Sequence, residues 1–463
     1  MPKSISSTRL RALAFLALIF LAIFVLLQFI RPALPNPPVV ADLQAPAEVK
    51  AILRTSCYNC HSNETQVPWF DKVVPAYWLV VRDVERGRQH MNFSDFGQMP
   101  AAEQKGFLYE SVNQIQLGAM PPANYKFVHP DSAVTPAQLD VLKKYLHPSE
   151  TSVAASPSDI TAADDQYQKW IAAGQAPAAN VQPALNGLGF FPDYKNWKPV
   201  STTDRFDNGT MRVILGNDVA TRAIADNKVH PWPDGTTFAK IAWKQQADTS
   251  GQVPTGAYVQ VEFMTKDATK YASTEGWGFG RWRGVDHKPY GKDANFAMEC
   301  ASCHRPMEAN DFVYTMPIHD APAPTDLFNR EAALPDDLPY QPLQWRVITS
   351  QVDKQRNVMS TLYGNDPAVD HARTAPQTPY PAGAVLALVT WNQQEDRHWF
   401  GGRIPGKVLS IEFVTVNPAP SGPSSFAYQS YEGSPVQKAP DKDATLTQSR
   451  IDAITGMKAA VMP

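Results

Sequence analysis

Cysteine is scarce in this chain of 463 residues, and its scarcity excludes several kinds of site. All four cysteines lie in two Cys-x-x-Cys-His motifs, so none remains for a disulfide framework. A structural zinc site would need two further Cys or His ligands at matching spacing, and neither motif is accompanied by them. An excess of charge of one sign is also lacking. The formal net charge is −3 and no basic stripe is visible, which argues against a nucleic-acid partner.

The two motifs are Cys57-Tyr-Asn-Cys60-His61 and Cys300-Ala-Ser-Cys303-His304. This spacing is the attachment signature of c-type haem, in which two thiols bond to the porphyrin and the next imidazole binds the iron. We therefore predict two covalently bound c-type haems, with His61 and His304 as iron ligands. A disulfide or another metal site is the alternative interpretation.

The chain has one long uncharged apolar run, at residues 12–30. As a helix it would rise about 28 Å, close to the hydrocarbon thickness of a bilayer. Lys3, Arg9 and Arg11 precede it, so the positive-inside bias predicts a cytoplasmic N-terminus and an exported body. We expect residues 1–31 to be a single-pass anchor in a bacterial inner membrane, with the body in the periplasm. A cleaved signal peptide is the alternative, although the run is long and lacks a clear cleavage site.

Residues 45–148 are predicted to form the first haem module. An electron-transfer haem needs a second strong ligand, and methionine is a common one. The best candidate is Met120, in the segment Gly-Ala-Met-Pro-Pro, followed in order by Met99, Met91 and His90. A terminal helix is predicted to start with a capping box, Thr135 to Gln138.

The order of motif, Met-Pro loop and terminal helix is similar to that of small class I cytochromes. The segments SCYNCHSNETQVPWF, HMNFSDF and GAMPPANYKFVHP resemble the family of small membrane-anchored c-type haem-binding domains. The resemblance implies an all-α unit with one haem that transfers electrons. The composition of residues 149–186 predicts a linker after it, with one short helix near Gln166 to Ala173.

Beyond the linker the chain repeats itself. Trp197 through Asp248 aligns without a gap on Trp345 through Asp396, at an offset of 148 residues. Stretches such as TTFAKIAWK and AVLALVTWN are β-branched, aromatic and partly alternating, which predicts sheet strands. The second copy contains no cysteine. We expect two modules, 187–325 and 335–463, of which the second binds no haem and packs on the first as a pseudo-dimer.

Differences between the copies indicate haem-related residues. Arg212 becomes Ser360, and Lys240, inside a predicted strand, becomes Leu388. Either Lys240 faces a haem pocket or it lies on a solvated face and has drifted.

The segments FPDYKNW, MRVILGND, WPDGTTFAKIAW, YVQVEFM, WGFGRWRG and ECASCHRPMEANDFVYT, in this order, resemble the cytochrome P-460 family over about residues 190–320. The resemblance implies a mostly antiparallel sheet, often dimeric, and a c-type haem whose distal side is open. It places the family's porphyrin-linked lysine at Lys240 and its pocket arginine at Arg212. The related cytochromes c-prime-beta share the fold and lack the bond to lysine, so the resemblance does not decide whether Lys240 forms it.

The predicted fold class is therefore α+β and multidomain: a transmembrane helix, an all-α cytochrome domain and two tandem antiparallel sheets. Among carboxylates, Glu262 recurs as Glu412, which favours a structural role. Glu299, adjacent to Cys300, is the candidate catalytic acid beside Lys240 and Arg212, and a plain surface glutamate is the alternative interpretation. The predicted function is oxidation of hydroxylamine or nitric oxide at the second haem. The first haem would pass electrons to a redox partner protein or membrane carrier. Nitric oxide binding or sensing without turnover, and pure electron transfer, are the alternatives.

Overall fold

The computed structural model describes residues 7–147, 155–174, 180–321, 326–418 and 425–463, with side chains from Arg11 onward. The chain divides into two compact units, one up to His147 and one from Pro148 on. Each unit is described by itself below.

The first unit is built from helices, and its described residues contain no strand. The helices are α1 (Ser7–Leu27), α2 (Ala47–Ser56), α3 (Tyr58–His61), α4 (Ala76–His90), α5 (Ala101–Gln116), α6 (Ala123–Val128) and α7 (Pro136–Leu146). Helix α2 buries Val49, Ile52 and Leu53, which lie on one face at helical spacing. The predicted capping box at the start of α7 is confirmed, since the side chains of Thr135 and Gln138 each bond the other's backbone N–H.

The predicted membrane anchor is wrong. In the part of the chain that the structure describes, no helix has both the length and the apolarity needed to span a bilayer. The apolar run was expected to stay helical to Ile30, but α1 ends at Leu27 and the Gln28 side chain donates hydrogen bonds to the carbonyls of Phe24 and Val74. The apolar helical stretch from residue 12 therefore rises only about 24 Å, less than the ~30 Å of a hydrocarbon core. The inner-membrane location inferred from the anchor is not supported either.

In its described residues, the second unit is dominated by one sheet of twelve strands. The strands are β1 (Lys198–Arg205), β2 (Thr210–Gly216), β3 (Thr237–Gln245), β4 (Gln252–Lys266), β5 (Trp277–Arg283), β6 (Lys288–Pro289), β7 (Arg346–Asp353), β8 (Val358–Gly364), β9 (Val385–Glu395), β10 (Gly402–Asn417), β11 (Ser425–Glu432) and β12 (Gln437–Lys438). The helices are α8 (Pro157–Ala173), α9 (Asp218–Ala225), α10 (Phe296–His304), α11 (Asp366–Thr374) and α12 (Ala444–Thr455). Within the predicted linker, α8 buries Tyr167 and Trp170 against the core of this unit.

The prediction of two separate tandem sheets is also wrong. Strands β1 to β4 and β7 to β10 are hydrogen-bonded in sequence order, and β4 pairs with β7 while β10 pairs with β1. The eight strands therefore close into one ring. The two long strands make this possible, because β4 and β10 pair with three neighbours each along their length.

The two halves of the ring have the same register. Lys240 pairs with Glu262 across β3 and β4, and Leu388 pairs with Glu412 across β9 and β10. Trp243 and Trp391, which the repeat aligns, are both fully buried in the core. Residues that are 148 positions apart on β3 and β9, and 150 positions apart on β4 and β10, therefore hold equivalent places, so the two halves can be compared residue by residue.

Candidate functional sites

Cys57 precedes α3, which holds the rest of the first Cys-x-x-Cys-His motif and packs against α4. The His61 Nδ1–H donates a hydrogen bond to the Met91 carbonyl at 3.2 Å, which leaves Nε2 as the ring nitrogen that can bind a metal. Cys57 and Cys60 are not in a disulfide, so both thiols can bond to a porphyrin. The residues of this motif fit a covalent c-type haem.

Met120, the predicted sixth ligand, lies in the loop between α5 and α6, and 40% of its surface is exposed. Tyr125, in the next helix, accepts a hydrogen bond from the Asn59 side chain at 3.1 Å, and Asn59 lies between the two cysteines. The Met120 loop is thus tied to the motif. Met91 is buried, and its backbone carbonyl accepts the hydrogen bond of His61 Nδ1–H.

We expect Met120→Leu to change the spectrum of the first haem and to lower its reduction potential, because a methionine ligand raises the potential. The fold should be unaffected, since the side chain is partly exposed. Redox titration with optical detection checks this, with Met99→Leu as the control. An unchanged potential in Met120→Leu would exclude this residue as the ligand.

The second motif forms the last part of α10. The His304 Nδ1–H donates to the Phe312 carbonyl at 2.7 Å, so Nε2 is again the nitrogen available for iron. The His304 ring lies 5.1 Å from the Tyr314 ring and 5.2 Å from the Phe279 ring, centroid to centroid. The Tyr314 hydroxyl donates to the Cys303 carbonyl at 2.7 Å. Cys300 and Cys303 are not in a disulfide, so this motif fits a covalent c-type haem as well.

A cluster of charged side chains lies beside the second motif, on strands β2 to β5. Glu262 is at its centre: the Lys240 Nζ lies 2.5 Å from one carboxylate oxygen, and the Arg281 Nε lies 3.1 Å from the other. The Gln260 amide also donates to Glu262. Strand register accounts for the grouping, because Lys240 and Arg281 are the cross-strand neighbours of Glu262 on either side.

The charges in this cluster shift one another's pKa. Burial would raise the pKa of Glu262, but Arg281, Lys240 and Arg212 outweigh it and hold the pKa well below its ordinary value. Burial lowers the pKa of Lys240 and lowers that of Arg212 to about 9. Burial also raises the pKa of the Cys300 thiol to about 11, and the charges of Arg281, Glu262 and Lys240 all act on it. The cluster and the attachment cysteine therefore share one site.

In the other half, Glu412 holds the position equivalent to Glu262, and side chains of that same half occupy the space around its carboxylate. Glu412 accepts two hydrogen bonds from Arg450 on α12, at 2.8 and 2.7 Å, and one from Tyr428 at 2.5 Å. Helix α12 follows β11 and β12 as α10 follows β5 and β6. The cations of the first half have the uncharged counterparts Ser360, Leu388 and Ser430.

The structure brings Lys240 and Arg212 together but leaves Glu299 outside. Glu299 is exposed on α10 and accepts a long hydrogen bond, 3.4 Å, from the Tyr290 hydroxyl. Sequence reasoning underrated Glu262 because it recurs in the other half, and it missed Arg281. A signal for Arg281 was present: the strand FAYQSYE, aligned on WGFGRWR, has a serine, Ser430, at the position of Arg281.

Both parts of the chain match known protein families. Residues 22–148 match the haem-binding domain family, and residues 191–315 and 340–447, together half of the chain, match cytochrome P460. The chain belongs to the cytochrome P460 family. It is a haem-containing cytochrome, and its iron is carried by haem. No curated protein matches the chain.

Proposed function

We propose that this cytochrome P460 carries two covalent c-type haems. The second oxidises a small nitrogen compound, hydroxylamine or nitric oxide, and the first passes the electrons to a redox partner protein. The observation that carries the proposal is the cluster of Lys240, Glu262, Arg281 and Arg212 beside Cys300. A carboxylate that is shared between cations and has a strongly shifted pKa is typical of sites that perform chemistry, and electron transfer alone does not require one.

Four cysteines and two histidines would hold the haems: Cys57, Cys60, His61, Cys300, Cys303 and His304. When bound, a haem supplies one-electron chemistry and an iron coordination site for a small ligand. Met120 would close the first iron to substrate.

The residues around the second site would handle protons and charge. Every electron taken from hydroxylamine leaves a proton to be carried away, and the ionised Glu262 carboxylate would orient Lys240, the proton-bearing group of the cluster, for that task. Lys240 and Arg281 hold that carboxylate ionised and oriented through their contacts of 2.5 and 3.1 Å. Arg212 forms no ion pair in the described residues, and its Nε donates to the Thr210 hydroxyl at 3.2 Å. Arg212 is therefore the cation of the cluster that would bind an anionic group or an anionic product.

The half that lacks cysteine would serve as a built-in partner that binds no haem. Its strands complete the ring through the β4–β7 and β1–β10 pairings, and Arg450 neutralises the carboxylate that would otherwise face an empty site.

Lys240→Leu, which installs the residue found at the equivalent position of the other half, tests the proposal. We expect the full haem content, measured by intact mass, with hydroxylamine oxidation by a soluble one-electron acceptor lost. Lys244→Leu is a matched control on the same strand, where the lysine is 62% exposed. Undiminished turnover in Lys240→Leu would contradict the proposal. Tight reversible nitric oxide binding by the unaltered protein without hydroxylamine turnover would instead support a gas-binding protein.

A further inference from the structure

An ion pair between Lys266 and Asp311 is buried behind the second motif. The Lys266 Nζ lies 2.7 and 2.9 Å from the two Asp311 carboxylate oxygens, and each side chain is 7% exposed. The Trp232 backbone N–H donates to the same carboxylate at 2.8 Å, and the Lys266 ammonium lies 4.9 Å from the centre of the Trp277 ring. A fully paired and buried pair of this kind holds its two backbone segments in one relative position.

The backbone that Asp311 belongs to is strained. Asp311 has φ 45° and Phe312 has φ 65°, so two consecutive residues other than glycine adopt the left-handed conformation. Such conformations persist where surrounding contacts determine them. Here the determining contacts are the ion pair and the Trp277 indole N–H, which donates to the Asp311 carbonyl at 2.9 Å.

The strained turn holds the predicted proximal ligand. The carbonyl of Phe312 accepts the Nδ1–H of His304 at 2.7 Å, so the direction of this carbonyl sets the tautomer and orientation of the imidazole. The other half supports a haem-related role. Val416 holds the position equivalent to Lys266, as the backbone shows: the Gly235 N–H donates to the Lys266 carbonyl, and the Gly383 N–H donates to the Val416 carbonyl. The half without a Cys-x-x-Cys-His motif therefore lacks the cation of the pair.

We propose that the Lys266–Asp311 ion pair is a positioning device for the proximal histidine, acting through the Phe312 carbonyl. The proposal rests on the proposed function in one respect, that His304 binds haem iron. A firm hydrogen bond from Nδ1–H makes the imidazole more basic and favours ferric over ferrous iron. Lys266 and Asp311 would thus tune the strength of the iron–histidine bond without touching the haem.

The test uses the full-length holoprotein with the double substitution Lys266→Met and Asp311→Asn, which removes both charges and leaves no unpaired buried ion. We expect the ferrous iron–histidine stretching frequency of the five-coordinate haem, measured by resonance Raman spectroscopy, to fall and its reduction potential to rise. Lys266→Arg, which keeps the charge, should restore both values towards those of the unaltered protein. Glu275→Gln is the matched control, because it breaks the surface ion pair with Arg305, the residue next to His304.

An unchanged frequency and potential in the double variant at full haem content would overturn the positioning role. A variant with a lower melting temperature but an unaltered frequency would likewise leave the pair a purely structural feature. A separate measurement on the unaltered protein tests the proposed function before any variant is made. Absence of a haem mass at Cys300 and Cys303 would contradict the proposed function, whereas the Raman and redox results on the variants test only the positioning role.

Discussion

Glu262→Gln should destabilise the second unit by about 1–3 kcal/mol, because it breaks a partly buried ion pair and leaves its partners without an anion. Lys240, Arg281 and Arg212 would then face one another with only a neutral amide between them. Turnover should fall about a hundredfold or more, since Lys240 loses the carboxylate that orients it beside the second motif. Chemical denaturation followed by tryptophan fluorescence measures the first effect, and hydroxylamine-dependent reduction of an electron acceptor measures the second.

The stability effect of Glu262 should depend on pH in a defined direction. Its pKa in the folded protein is depressed below the unfolded value, so its contribution is fully present above a pH of about 4.3 and is lost as the pH falls towards the folded pKa. The difference between the unaltered protein and the variant should be constant from pH 7 to pH 5 and shrink in more acidic solution. Glu299→Gln, which changes an exposed glutamate on α10, should differ little from the unaltered protein at any pH. If the two variants behave alike, Glu262 does not hold the cluster together.

Both motifs and the two strand sets could be predicted because they depend on local signals. The Cys-x-x-Cys-His spacing predicts haem attachment from five residues alone, and the β-branched and aromatic residues of TTFAKIAWK favour a strand, as β3 shows. The capping box at Thr135 is likewise encoded within four residues. None of these three features depends on contacts with residues that are distant in the sequence.

The errors concern long-range pairing and the ends of elements. The repeat predicted two sheets because a repeated sequence does not indicate whether the edge strands of the two copies pair with each other. In the structure they do, since β4 and β10 are long enough to pair with strands of the other half. Helix α1 ended three residues early because the Gln28 side chain turns back onto two backbone carbonyls, one of them 46 residues away. Glu262 was underrated because the same residue type recurs as Glu412 in the other half. The two glutamates have different partners, which the sequence does not reveal: Lys240 and Arg281 for Glu262, and Arg450 for Glu412.

Gly87→Ala should prevent α4 from packing on the first motif. A Cβ atom at this position would lie 2.6 Å from the Cys60 carbonyl oxygen and 3.1 Å from its carbonyl carbon. Both are backbone atoms of the motif, so the neighbour cannot rotate away and the helices must separate. Overpacking of this kind costs about 1–3 kcal/mol, which outweighs the ~1 kcal/mol that alanine gains over glycine inside a helix.

The separation of α3 and α4 has a chemical consequence, because α4 leads directly into Met91, whose carbonyl holds the His61 ring. We therefore expect Gly87→Ala to lose covalent haem at Cys57 and Cys60 and to retain it at Cys300 and Cys303, as measured by peptide mass spectrometry. Gly106→Ala on α5 is the matched control, since a Cβ there meets no atom within 4 Å and should stabilise the helix. Equal haem content in the two variants would show that the close approach of Gly87 to Cys60 is not needed for attachment.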